Sequence, residues 1–285
     1  MSSSKICFAA ALALILPIAS HAQVAPTSGK RAESLVIRNA TIVDGAGIPA
    51  FGPADIVVRG NRIEQIVWLD PVAIANGRGK RPTAATEIDA TGKYVLPGLI
   101  NAHSHVQDSR AGIPQPLDYE LKIWLACGIT SVREVGADDT QSIIDLRGKS
   151  ERGEVASPRV FVYGRFSNPP VPLTPDAARQ RVRDLKKMGV DGIKLLLVDR
   201  DVMTAMEDEA HKLGLRVAHH VGVQETNAWD DIKLGTTSIE HWYGIPDAAI
   251  KEAGLRRFSD STTDVAWLEP AKDQSARSLK KETRT

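Results

Sequence analysis

Leu96-Pro97-Gly98-Leu99-Ile100-Asn101-Ala102-His103-Ser104-His105 is an apolar run that ends in two histidines one residue apart. A β-strand has a side-chain period of two, so both imidazoles project from one face. Two neutral ring nitrogens on a rigid strand can share one divalent cation, and imidazole is the commonest side-chain ligand for zinc and its neighbours. Standing alone, His-x-His describes a solvated strand-end pair equally well. What decides between the two is the rest of the chain, which supplies a lysine and two further histidines on later strand ends.

Downstream of His105, apolar strand and amphipathic helix alternate, which argues for a parallel α/β architecture. Tyr119 to Ala126 reads as helix, stopped at Gly128, before the strand Ile129 to Arg133. Ser142 to Glu151 can be helical, and Pro158 marks the approach to the strand Arg159 to Tyr163. The clearest helix follows, with Thr174 as cap, Pro175 in the first turn and Gly189 as stop. Gly192 to Val198 is a strand, Val202 to Leu213 a helix, Leu215 to His220 a strand, Asn227 to Leu234 a helix and Thr236 to His241 a strand. Six such units point to a (β/α) barrel, where the C-terminal ends of the strands converge on one mouth.

Lys194 interrupts an apolar strand, and His220 and His241 end theirs. A lysine in such a run is costly to bury charged, so it is paired, neutralised or chemically altered, unless its stem is buried and its ammonium snorkels to the rim. His219 and His220 are adjacent, so only one of them can enter the barrel. Alternation likewise turns Glu240 away from the side of His241, toward the helix layer. Arg133-Glu134 reads as readily as an exposed ion pair as anything else, and His211 reads as surface.

LPGLINAHSH resembles the first-strand signature of the amidohydrolase superfamily, in which a Pro-Gly-Leu-Ile-Asp-x-His-x-His pattern opens a metal-dependent hydrolase barrel. Asn101 stands where the pattern has Asp. The resemblance implies an incomplete (β/α)8 TIM-like barrel over 96–254, preceded by part of a small β-sandwich domain over 34–95. It also implies a metal set of His103, His105, Lys194, His220 and His241. In that superfamily the strand-four lysine takes up carbon dioxide as a carbamate bridging two metals. The Gly-Leu-x-Val-x-x-His pattern picks His220 over His219, and a Ser-Ile-Glu-His ending picks His241. One or two divalent ions, with Zn²⁺ as the first choice, would serve hydrolysis of a C–N bond in an amide, dipeptide-like or cyclic amide substrate, as in the imidazolonepropionase-like and Xaa-Pro dipeptidase-like branches. A metal-binding fragment without activity and a mononuclear deaminase-like enzyme with a structural Lys194 remain the alternatives.

The superfamily's general base is an aspartate ending strand eight, and no strand pattern places Asp260 or Asp264 at a barrel mouth, so no catalytic residue is identified. Residues 255–285 are polar and expected to be disordered. The chain therefore reads as C-terminally truncated, with reduced or lost activity.

Upstream, short β-rich pieces at Leu35 to Ile37, Ala40 to Val43, Asp55 to Val58 and Arg62 to Val67 are separated by turns such as Asp44-Gly45 and Gly60-Asn61. Lys5, the apolar run Ile6 to Ala19 and Ser20-His21-Ala22 read as a signal peptide cut after Ala22, followed by a linker over 23–33. The expected compartment is periplasmic or secreted. The apolar run is shorter than the roughly 20 residues a spanning helix needs, so stable membrane insertion is not expected after cleavage. Cys7 leaves with the signal, and Cys127 alone remains, so export brings no intramolecular disulfide. With 285 residues, 42% of them hydrophobic and 25% charged, the composition is globular, and a net charge of +1 gives no footprint for nucleic acid. The partner expected is a small-molecule substrate, and the oligomeric state stays open.

Overall fold

Short β-branched runs joined by glycine turns pair at the start of the described chain as β1 (Ser34–Ile42), β2 (Phe51–Arg59) and β3 (Arg62–Trp68). The computed structural model describes residues 32–167, 173–221, 226–242 and 244–249. The stretch read as a signal peptide, most of that read as a linker, and the polar tail with Asp260 and Asp264 lie outside the described residues. β1 and β2 are antiparallel with a register shift beyond Ile37, where Asn39 takes a left-handed φ of 59°. That irregularity separates the two β1 pieces visible in the sequence without ending the strand.

A short helix α1 (Pro71–Ala75), capped by the Asp70 carboxylate, leads to β4 (Thr86–Asp89) and β5 (Tyr94–Val95), both parallel to β1. The sheet order is β3-β2-β1-β4, with β5 also on β1. Ala40, Ile42, Ala54, Ile56 and Ala90 form its small core, while Ile63, Trp68 and Ile88 stay exposed. Asp55 is fully buried and ties β2 to β1 and to the loop before β4, accepting from Arg38, from Arg81 and from the Asn39 N–H.

The signature run forms β6 (Leu99–Ser104). Gly98 is there because the next strand approaches closely: a Cβ on it would lie 1.9 Å from Thr130 Oγ1. A two-residue ribbon, β7 (Ser109–Arg110) and β8 (Ile113–Pro114), precedes α2 (Asp118–Ala126), β9 (Ile129–Glu134), α3 (Thr140–Glu151), β10 (Arg159–Phe166) and α4 (Pro175–Met188). There follow β11 (Gly192–Leu195), α5 (Arg200–Lys212), β12 (Arg216–His220), α6 (Ala228–Leu234), β13 (Ser238–Glu240) and α7 (Ile245–Ala249). α4 begins and ends as its sequence predicts: the Thr174 hydroxyl caps the Ala177 N–H, Pro175 occupies the first turn and Gly189 closes the helix at φ 87°.

β6, β9, β10, β11, β12 and β13 form one parallel sheet in that spatial order, a nearly closed incomplete TIM barrel. Its helix-facing core runs from Phe166, Ile193, Leu195 and Val217 to Val182, Leu185, Met203 and Met206 on α4 and α5. β11 ends at Leu195 and β13 at Glu240, both short of the stretches read from sequence. No helix among the described residues is long and apolar enough to cross a membrane.

Candidate metal centre

At the C-terminal ends of the barrel strands, the four predicted histidines come together. The rings of His103 and His105 have centroids 5.1 Å apart, and His241 lies 4.6 Å from His103 and 4.6 Å from His220. His105 and His241 are exposed at the mouth, whereas Lys194 lies beneath, 2% exposed. His219 turns the other way, as expected. It is buried against α6, its Nδ1 2.7 Å from Asp231 Oδ1.

Three neighbours differ from the sequence reading. Glu240 faces the interior and not the helix layer: one carboxylate oxygen accepts from Arg133 at 2.5 Å and Ser238 at 2.8 Å, the other from His103 Nδ1 at 2.5 Å. The register pairs Glu240 with His220, and residues paired across parallel strands share a face. His241 nevertheless reaches the same side, because it lies just past β13 with a left-handed φ of 66°, which cancels the alternation. Arg133 is likewise interior. Its guanidinium sits 5.1 Å from the Tyr163 ring centroid and donates to Ala102 C=O and Ser238 Oγ. Glu134, on the other face of β9, is fully buried and accepts from the N–H groups of Val106, Gly136 and Ala137. The signal for these residues was Glu240 beside His241 and the single valines, Val132 and Val135, on either side of Arg133-Glu134, where exposure was the wrong default.

The electrostatics favour uncharged nitrogen. Burial lowers the pKa of His105, His220 and His241, reinforced by neighbouring positive groups, and takes His220 down to about 4. Burial, together with Arg133, lowers Lys194 to about 8 against the pull of Glu240. Burial raises Glu240, but hydrogen bonds from Ser238 and His103 and the charge of Arg133 outweigh it, so its carboxyl titrates below the usual range. At neutral pH His105, His220 and His241 thus offer unprotonated ring nitrogens near the Glu240 carboxylate.

A divalent ion is implied by the family likeness, and the residues fit one. Two buried nitrogens, His103 Nε2 and Lys194 Nζ, have no hydrogen-bond partner, although buried polar groups are normally paired. Glu240 holds the Nδ1 of His103, the arrangement that fixes a metal-binding histidine with Nε2 outward. A ring centroid lies roughly 3 Å from a zinc ion bound through one nitrogen, so two ligands at a tetrahedral angle stand about 5 Å apart. The observed ring spacings match that figure. Among the described residues, no three His, Cys, Asp or Glu side chains form a ready cation site as they stand.

No protein-family profile matches the chain. An uncharacterised protein of Mycobacterium bovis is 30% identical over 203 residues, covering 62% of this chain and 52% of that one. A D-hydantoinase of Rhizobium radiobacter is 37% identical over 203 residues, covering 65% of this chain and 39% of that one. The crystal structure of a Xaa-Pro dipeptidase with bound methionine superposes with a TM-score of 0.56 at 25% identity, over 73% of this chain and 61% of that one. The chain spans about half the length of the mycobacterial relative. By fold, it is of the incomplete parallel-barrel class that carries its histidines at the strand ends. In both sequence and structure, it resembles the amidohydrolase superfamily.

Proposed function

We propose that the chain carries the metal-binding part of an amidohydrolase acting on C–N bonds of amide, dipeptide-like or cyclic amide substrates, with His103, His105, Lys194, His220 and His241 as ligands. The observation that supports this best is the pair of partnerless buried nitrogens, His103 Nε2 and Lys194 Nζ, beneath converging imidazoles. The D-hydantoinase and the Xaa-Pro dipeptidase among its relatives favour the amide class.

Zinc bound here would act as a Lewis acid on the carbonyl and lower the pKa of a bound water. The chain's own part is positional. Glu240 fixes the tautomer and aim of His103, and Arg133 holds Glu240. Lys194 is buried without a hydrogen-bond partner, and burial lowers its pKa to about 8, which raises the share of free amine that can attack carbon dioxide: a new N–C bond forms, one proton leaves, and the carbamate carries the negative charge. Two oxygens then stand where one unpaired nitrogen stood, which suits two cations. Glu240 accepts from three donors and titrates below the usual carboxylate range, which makes it a weak base for water, and turnover by this chain is proposed to be low. The substrate is a small molecule, and the site of action is periplasmic or secreted after cleavage at Ala22.

The test is zinc stoichiometry with and without bicarbonate, followed by turnover on an amide panel. Two zinc ions with bicarbonate, falling on its removal, support the binuclear reading. One ion regardless of bicarbonate makes Lys194 structural and favours the deaminase-like alternative. Zinc without any turnover leaves a metal-binding fragment, and no zinc at all overturns the proposal.

A further inference from the structure

Glu134 is fully buried beside the cluster and has no part in the chemistry above. Its carboxylate gathers three backbone N–H groups from two loops: Val106, immediately after His105, and Gly136 and Ala137 at 2.5 and 2.6 Å, immediately after β9. Val135 N–H also donates to Ser104 C=O at 2.9 Å, so the backbone on both sides of His105 is bound to the β9 loop. The imidazole lies against the far wall of this arrangement. A Cβ on Gly136 would stand 1.5 Å from His105 Nδ1 and 2.2 Å from Cε1, distances no real side chain tolerates. Gly136 has no left-handed φ, so the reason for glycine here is the ring and not the backbone.

We propose that Glu134 and Gly136 form a cradle that sets the His105 ring, with Gly136 covering Nδ1 so that Nε2 is the nitrogen presented to a cation. Glu134 is thus a positioning residue, acting on His105 through the loop it ties down. The proposal rests on His105 being a ligand, but its first consequence, the pose of the ring, is measurable without metal. Outer contacts of this kind typically govern about 10- to 100-fold in metal affinity.

The experiment uses the full chain labelled at histidine with ¹⁵N, zinc-free and zinc-titrated, as the parent and as Gly136→Ala and Glu134→Gln. Gly136→Ala is expected to keep the parent's circular dichroism, move the His105 ring resonances in the zinc-free protein and weaken zinc binding by about 10- to 100-fold. Glu134→Gln replaces one acceptor oxygen with an amide that faces a backbone N–H, and should act in the same direction. Unmoved His105 resonances in Gly136→Ala overturn the cradle, whatever happens to zinc. Lost stability with unchanged ring signals and zinc affinity also overturns it, since a purely structural glycine would behave so. Were Gly136→Ala unable to fold, the same readouts on Glu134→Gln decide. A parent chain that takes no zinc removes the ligand reading alone and leaves the zinc-free ring signal to judge the cradle.

Discussion

The two faces of the barrel sheet are built on opposite terms, and adjacent residues show it. His219 enters the helix layer and meets Asp231 in a one-to-one pair, whereas His220 enters the interior among other nitrogens. The polar groups of this layer are partly paired: Glu207 Oε1 accepts from Thr236 and His211 Nε2 lies 3.1 Å from Gly235 C=O, while Glu207 Oε2 and Asp231 Oδ2 have no hydrogen-bond partner. On the interior side the groups without a hydrogen-bond partner are nitrogens, His103 Nε2 and Lys194 Nζ. What folding leaves over thus differs in kind: carboxylate oxygens on the helix side, and on the interior side nitrogens of the sort that hold a cation.

That contrast can be broken most forcefully from the helix side. Phe166→Ala, in the core shared by α4 and α5, should cost about 3–5 kcal/mol in urea unfolding, with zinc affinity of the folded fraction unchanged. A loss of zinc affinity in step with stability would show that the two faces are not separable.

Next in size is a pH effect carried by Glu207, whose buried carboxyl is raised by burial to about 7, against the Thr236 hydrogen bond and with support from Asp231. Its folded pKa lies above its unfolded one, so its stabilising contribution is full below about 4.5 and lost as pH rises through about 7. Unfolding midpoints should fall between pH 5 and 8 by the equivalent of a few kcal/mol at most. Glu207→Gln should flatten that slope, and an unchanged slope removes Glu207 from the account.

His219→Ala strands the Asp231 carboxylate in the helix layer and should cost about 1–3 kcal/mol. His220→Ala should cost less stability yet lower zinc affinity by tenfold or more. Reversed outcomes for these neighbours would invert the assignment of the two faces. The smallest effect is expected at Thr174→Ala, which removes the α4 cap and should cost about 1 kcal/mol without touching metal uptake.

The sequence revealed what period and punctuation govern. Thr174-Pro175 and Gly189 bound α4, Gly128, Gly214 and Gly235 mark helix ends, and alternation placed His219 and His220 on opposite faces. It misled where a single residue leaves the pattern. The left-handed φ at His241 lets two consecutive residues share the interior, so a strict count sent Glu240 outward. Arg133 and Glu134 were illegible for a different reason: most of their partners, Ser238, Glu240 and Val106 among them, are distant in sequence, and charge alone suggests water. α1 was missed although Asp70-Pro71 is a fair opening, because five residues give periodicity too little to work on.

Arg133 joins parts of the fold that the sheet itself keeps farthest apart. β6 and β13 are the first and last strands in the spatial order, and this one side chain reaches Ala102 on the former and Ser238 and Glu240 on the latter. It works as the clasp of a bracelet whose links are the hydrogen-bonded strands between. The curvature of six strands is therefore held by the bonds at this guanidinium and by the His103–Glu240 bond beside them, and the distance between His103 and His241 is set by how tightly that clasp is shut.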